Sequence, residues 1–181
     1  MGVGNTILGD DGAGIYAVRR LAELLLARGA TPAPPAAGTE PAAVTPEVTV
    51  VALPSGRQVH LAEACAGGLA LVEIMLGYPH VVLIDAWPGV PPGRFTVLSL
   101  ADLDRAPAPA SGHQVGLPAA MRAAARMGLP LPGQVEVWAI GVQDVSLGET
   151  CMPPVQAAVE EVACRLADAL TGRPGPAALG A

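Results

Sequence analysis

Three acidic side chains and one histidine occupy positions where a folded chain could use them for chemistry. Asp10 and Asp11 lie in the glycine-rich segment GVGNTILGDDGAG, Asp85 ends the apolar run in VVLIDA, and His113 lies in SGHQVGL. Carboxylate and imidazole groups together suit zinc, nickel or iron, and three protein ligands leave a position for water or substrate. The same groups can also activate a water molecule for attack.

Each of these residues also has a simpler structural role. An Asp before a helix accepts backbone N–H groups, so either one of Asp10 and Asp11 caps a helix while the other faces a site, or both are solvated turn residues. Asp85 either caps a loop or helix, or meets a cation or hydrogen-bond donors that offset the cost of burying it. A single histidine such as His113 is more often structural than a ligand. The residue types alone leave these alternatives open.

The glycines of the first segment do not form a recognised phosphate-binding loop. They lack the Lys-Ser/Thr pair of a P-loop and the correctly spaced third glycine of a dinucleotide fingerprint. The sequence also contains no GxSxG elbow and no HExxH pair. The acidic residues of the segment therefore carry more weight than its glycines.

The spacing of apolar residues predicts strands that alternate with helices. Helices are predicted over 12–28, 68–76, 114–127 and 153–170, and strands over 48–53, 81–84, 95–98 and 135–140, with 54–65 irregular. This alternation predicts an α/β fold, a three-layer α/β/α sandwich around a mostly parallel sheet. Ligands bind beyond the carboxyl ends of such strands, and Asp85 is expected directly after its strand.

Composition predicts one domain in a reducing compartment. Residues 1–172 are expected to form the domain, with 30–45 as a Pro- and Ala-rich exposed connector and 173–181 as a flexible tail. The net charge of -6 disfavours a nucleic-acid-binding surface, which needs a basic face. No apolar run reaches the roughly 18 residues of a membrane helix. Three dispersed cysteines without a CxxC pair favour a cytoplasmic protein.

The motifs GVGNTILGDDGAG, VVLIDA and SGHQVGL, followed by VEVWAIGVQ at 135–143, occur in an order that resembles the hydrogenase maturation protease family. The resemblance spans residues 2–143. It implies an endopeptidase, aspartic-type by family, that removes the C-terminal extension of a [NiFe] hydrogenase large-subunit precursor after nickel insertion. The implied partner is that precursor, with no nucleic acid and no membrane.

The resemblance also assigns roles to individual residues. It implies that Asp11, Asp85 and His113 contact nickel and are catalytic, with the nickel borne by the substrate and recognised rather than permanently held. Asp10 takes a supporting or capping role, together with Gly4 and Asn5. Water activation by the metal and by a carboxylate both stay open.

One feature departs from the family pattern, and two other functions compete with this interpretation. In the family the glycine turn follows a full first strand, whereas only Met1 precedes it in this sequence. We therefore expect a truncated first strand and a start that lies upstream. The competing functions are a non-catalytic nickel-dependent docking or chaperone module for hydrogenase maturation, and another α/β hydrolase of similar sheet topology.

Overall fold

The computed structural model describes residues 1–35, 48–105 and 116–173. Its strands are β1 (Gly2–Val3), β2 (Thr31–Pro32), β3 (Val48–Ala52), β4 (Gln58–Ala64), β5 (His80–Trp87), β6 (Phe95–Ser99) and β7 (Gln134–Gly141). Its helices are α1 (Ala13–Ala27), α2 (Gly68–Met75), α3 (Leu100–Arg105), α4 (Leu117–Arg126) and α5 (Pro153–Thr171), and a 3-10 turn spans Gly9–Gly12.

The strands form one seven-stranded sheet in the order β2-β3-β4-β1-β5-β7-β6. The centre is parallel, because β1 pairs in parallel with β4 and β5, and β5 pairs in parallel with β7. The outer pairs β2–β3, β3–β4 and β6–β7 are antiparallel. Within the described residues only β3 and β6 run against the other strands, so the predicted mostly parallel sheet is confirmed.

Helices cover both faces of this sheet. α1 and α5 pack on one face, where Leu25 and Val155 join the core with Ile84 of β5. α2 and α4 pack on the other face, where Leu71 and Leu117 join a second core. Burial of these apolar side chains is the main term that stabilises such a layer. The predicted three-layer sandwich is confirmed.

Neither β4 nor α3 was expected from the sequence. The prediction that 54–65 is irregular is wrong, because β4 occupies most of it and pairs with β3 after a tight turn at Gly56, whose φ is 84°. α3 was not predicted, since six residues show too little periodicity. It begins where the Asp102 carboxylate accepts hydrogen bonds from the Ser99 N–H and hydroxyl, at 2.9 and 2.6 Å.

The first strand is short, as predicted. β1 has two residues, against roughly five in a usual strand. Before it, the Met1 amino group donates to the Val82 carbonyl at 2.7 Å. A cavity of about 300 Å³ lies beside Met1 and is lined by residues of β4, β5, α1 and α5.

The predicted connector and tail are only partly covered by the described residues. Thr31–Pro32 falls within the predicted connector and forms an exposed edge strand on β3. Residues 36–45 and 174–181 lie outside the described part of the chain. No described helix is both long enough and apolar enough to cross a membrane.

Candidate active site

The neighbouring strands β1 and β5 form the topological switch point of the sheet. β1 leads into α1 on one face, whereas β5 leads through β6 into α3 and α4, and α4 lies on the opposite face. A crevice opens at the carboxyl ends of two such strands, and open α/β sheets bind their ligands there. Asp11 lies in the 3-10 turn after β1, which contacts β5, and Asp85 lies in β5, so both residues lie at this end of the two strands.

Asp85 lies inside its strand rather than directly after it. The strand continues to Trp87 because β7 runs on beside it, with Asp85 opposite Ala139 and Trp87 opposite Gly141. Asp85 is fully buried, and its Oδ1 accepts the Ala86 N–H at 2.8 Å. Because alternate strand residues share a face, Asp85 lies on the side of Leu83, which packs with α2 and α4.

Asp11 is held by the tight turn that joins β1 to α1. Its side chain is buried, and its backbone N–H donates to the Leu8 carbonyl at 2.9 Å. Gly4, with φ at 145°, lies so close that a Cβ there would overlap the Asp11 carbonyl oxygen. Only glycine allows this approach. The glycine spacing of the first motif therefore serves to place the backbone of Asp11.

Asp10 points elsewhere and fixes the backbone of a distant segment. Its Oδ1 accepts the Met152 N–H at 2.7 Å, and its Oδ2 accepts the N–H groups of Gln143 and Asp144 at 3.2 Å each. These three donors offset the cost of a buried carboxylate. The two adjacent acids thus differ in their surroundings, since Asp10 holds backbone and Asp11 lies in the turn after β1.

Two loops are joined around Asp10. We call residues 4–12 the acid loop and residues 142–152 the return loop. Gly9 donates to the Gly148 carbonyl at 2.7 Å, and Gly148 donates to the Ile7 carbonyl at 3.1 Å. Within the acid loop, the Asn5 Oδ1 accepts the Ile7 N–H at 3.1 Å. The middle of the acid loop is therefore fixed to the return loop by backbone hydrogen bonds.

The return loop also contains a buried cysteine that is chemically quiet. The Cys151 Sγ lies 3.7 Å from the Gly9 carbonyl oxygen. Burial, with the negative charge of Asp10 as a smaller cause, raises the pKa of the Cys151 thiol to about 12. The thiolate is the nucleophilic form of cysteine, so this thiol is unsuited to nucleophilic catalysis. Sequence reasoning gave the return loop no role, because its contacts with Asp10 are long-range and leave no local pattern.

His113 lies outside the described residues, three positions before Gly116, which precedes α4. Among the described residues, no group of three His, Cys, Asp or Glu side chains is arranged to hold a metal ion. The structure brings Asp10, Asp11 and Asp85 to one edge of the sheet. The joint site of Asp11, Asp85 and His113 stays a prediction.

Several solved structures share the fold of this chain. Hydrogenase maturating endopeptidase HybD from Escherichia coli aligns with a TM-score of 0.62 at 20% identity, covering 94% of this chain and 90% of that one. An endopeptidase from Escherichia coli gives 0.64 at 19% identity, with 95% and 91% covered. The [NiFe] hydrogenase maturation protease HybD from Thermococcus kodakarensis gives 0.55 at 21% identity, with 94% and 95% covered.

Comparison by sequence, in contrast to comparison by structure, finds no match. No protein-family profile and no curated protein matches the chain. At the identities given above, the structural similarities establish a shared fold, and they extend over nearly the whole of each chain. Because a shared fold does not by itself establish an activity, the evidence on chemistry comes from the side chains at the switch point.

Proposed function

We propose that this protein is an endopeptidase of the hydrogenase maturation protease family, which removes the C-terminal extension of a [NiFe] hydrogenase large-subunit precursor after nickel insertion. One observation carries the proposal. Two buried carboxylates, Asp11 and Asp85, lie at the switch point of a fold that this chain shares with maturation endopeptidases. The resemblance of the motifs around both acids and around His113 points to the same activity.

Recognition of the substrate rests on coordination chemistry. Two carboxylates and an imidazole are ligands that a divalent nickel ion accepts. In the proposed complex, Asp11, Asp85 and His113 complete the coordination of nickel that the precursor already carries. A precursor without nickel offers no cation to these side chains. Nickel insertion would then license cleavage, because only the loaded precursor gains these bonds.

Hydrolysis requires an activated water and a polarised peptide carbonyl. Water adds to the carbonyl carbon, the C–N bond breaks, and the leaving amine takes up a proton. A carboxylate of the pair can accept the proton of the attacking water, and the substrate's metal can polarise the carbonyl or activate the water. Both of these routes use the same side chains. A pepsin-like dyad is a different arrangement, because it requires two carboxyl groups that share one proton at close range.

The test compares nickel-loaded and nickel-free precursor incubated with this protein. We expect the precursor to lose its extension only when it carries nickel, which intact-mass spectrometry measures directly. Asp11→Asn, Asp85→Asn and His113→Gln should each lower the rate by about 100-fold or more, as is usual for a group acting in acid–base chemistry. Glu73→Gln, which neutralises an exposed acid of α2 away from both loops, is the matched control for a general charge effect.

Three outcomes would contradict the proposal. Cleavage at equal rates with and without nickel would show that the enzyme does not recognise the metal. Full activity in all three variants would show that these residues do not form the active site. Tight binding of loaded precursor without any cleavage would favour the docking or chaperone function instead.

A further inference from the structure

Exposed apolar side chains are concentrated on the two loops that meet at Asp10. Eight large hydrophobic residues are exposed in the described part of the chain, and half of them lie on these loops: Ile7 (58%), Val145 (38%), Leu147 (82%) and Met152 (51%). The loops account for about twenty residues, so this share is far above an even spread. Exposed apolar groups that cluster in this way mark contact surfaces.

The backbone keeps these four residues together. The Gly148 N–H, one residue after Leu147, donates to the Ile7 carbonyl at 3.1 Å. Met152 is fixed through its own N–H, which donates to the Asp10 carboxylate at 2.7 Å. The apolar groups are therefore carried by fixed backbone beside Asp11, and a partner that covers them loses little entropy in ordering this side of the contact.

The charge of the same surface is negative. The two loops contain Asp10, Asp11, Asp144 and Glu149 and no Arg, Lys or His. The charge of Asp10 is met by three backbone N–H groups, whereas Asp144 and Glu149 are exposed. Hydrogen bonds from Ser146 lower the pKa of Asp144, which keeps it ionised. Charge complementarity therefore favours a partner segment that is apolar and cationic.

We propose that this apolar and acidic rim, formed by Ile7, Val145, Leu147, Met152, Asp144 and Glu149, docks the segment of the precursor that flanks its metal centre. The inference rests on the proposed function and assigns the rim a role in substrate affinity. The occupant is a chain segment with apolar side chains and a net positive charge. The rim adjoins the acids that would meet the metal, so one bound segment contacts both.

The experiment measures processing of nickel-loaded precursor by the double variant Ile7→Ser/Leu147→Ser. Both side chains are exposed, so the fold should be retained. We expect KM to rise about ten-fold or more, since a central apolar contact typically contributes a factor of this size, while kcat stays within about two-fold because the acids are untouched. Met127→Ser, 70% exposed at the far end of α4, is the matched control and should leave both constants unchanged.

A second arm tests the charge of the rim. Asp144→Asn/Glu149→Gln should raise KM at low salt and flatten its dependence on ionic strength, because screening acts on exposed charge pairs. An unchanged KM in both double variants, with wild-type protein that cleaves normally, would overturn the inference alone. Wild-type protein that does not cleave loaded precursor would instead overturn the proposed function.

Discussion

The two edges of the central sheet are built differently. At the carboxyl edge, glycine brings backbone against backbone, and a buried carboxylate holds a loop through three N–H groups. At the amino edge, the short β1 leaves a cavity of about 300 Å³ beside Met1. Close packing resists rearrangement. The contrast indicates that close backbone packing is concentrated where the acids are placed, and that the cavity beside Met1 lies away from them.

The largest effect is expected from a single methyl group at the carboxyl edge. A Cβ on Gly14 would overlap the carbonyl oxygens of Ile84 and Val3, which are both backbone atoms of the central strands. Neither strand can move without loss of pairing. Gly14→Ala should therefore destabilise the fold by about 4 kcal/mol or more, which urea denaturation would measure.

The amino edge supplies the control for this substitution. Gly56 has φ at 84°, and a Cβ there would meet nothing within 4 Å. Gly56→Ala carries only the cost of a left-handed alanine, about 1–2 kcal/mol. Equal losses of stability at Gly14 and Gly56 would show that close packing at the carboxyl edge is not what distinguishes the two edges.

Removal of the Asp10 carboxylate should have the next largest effect. Asp10→Ala leaves the N–H groups of Gln143, Asp144 and Met152 without their acceptor. Hydrogen bonds to a charged group contribute about 1.5–3 kcal/mol each, and water can replace part of this at the partly buried sites. We expect a loss of about 4 kcal/mol in the free energy of unfolding, with Asp10→Asn losing roughly half as much. A loss below about 1 kcal/mol would show that Asp10 does not hold the return loop.

The sequence predicted the elements that depend on local pattern. The continuous apolar run of β5 and the helical spacing in α5 both indicated the correct element. β4 was missed because it is only half buried, with Gln58 and His60 among its residues, so its apolar pattern is weak. The acids at the switch point were recognisable from their place after glycines or an apolar run. The partners of Asp10 were not, because they lie more than 130 positions along the chain.

In protein produced with Met1 as its first residue, the amino edge should make the stability depend on pH. Burial lowers the pKa of the Met1 amino group from 8.0 to about 5. Between these values the unfolded chain binds a proton that the folded chain does not, so the free energy of unfolding rises with pH. The slope is at most about 1.4 kcal/mol per pH unit, and we expect a total rise of about 3 kcal/mol. Urea denaturation from pH 5 to 8 measures it.

Acetylation of the same amino group provides the control for this pH dependence. The acetylated chain has no amine to titrate, so its stability should change much less over the same range. Burial also lowers the pKa of His60 beside the cavity, which adds a smaller rise in the same direction. A flat profile for the unmodified protein would mean that the Met1 amino group is solvated.

The smallest effect is expected at Asp168, a mostly buried carboxylate at the amino edge that can be compared with Asp10. Asp168, near the end of α5, pairs with Arg28 at 2.8 Å, and both side chains are about 15% exposed. Here one side-chain guanidinium replaces the three backbone N–H groups that hold Asp10, and a near-surface ion pair contributes about 1 kcal/mol or less. Asp168→Asn should therefore destabilise the protein by about 1 kcal/mol, with the effect reduced in high salt. A loss as large as that of Asp10→Ala would mean that the amino edge is held as firmly as the carboxyl edge. Rigidity would then not depend on where backbone N–H donors are placed.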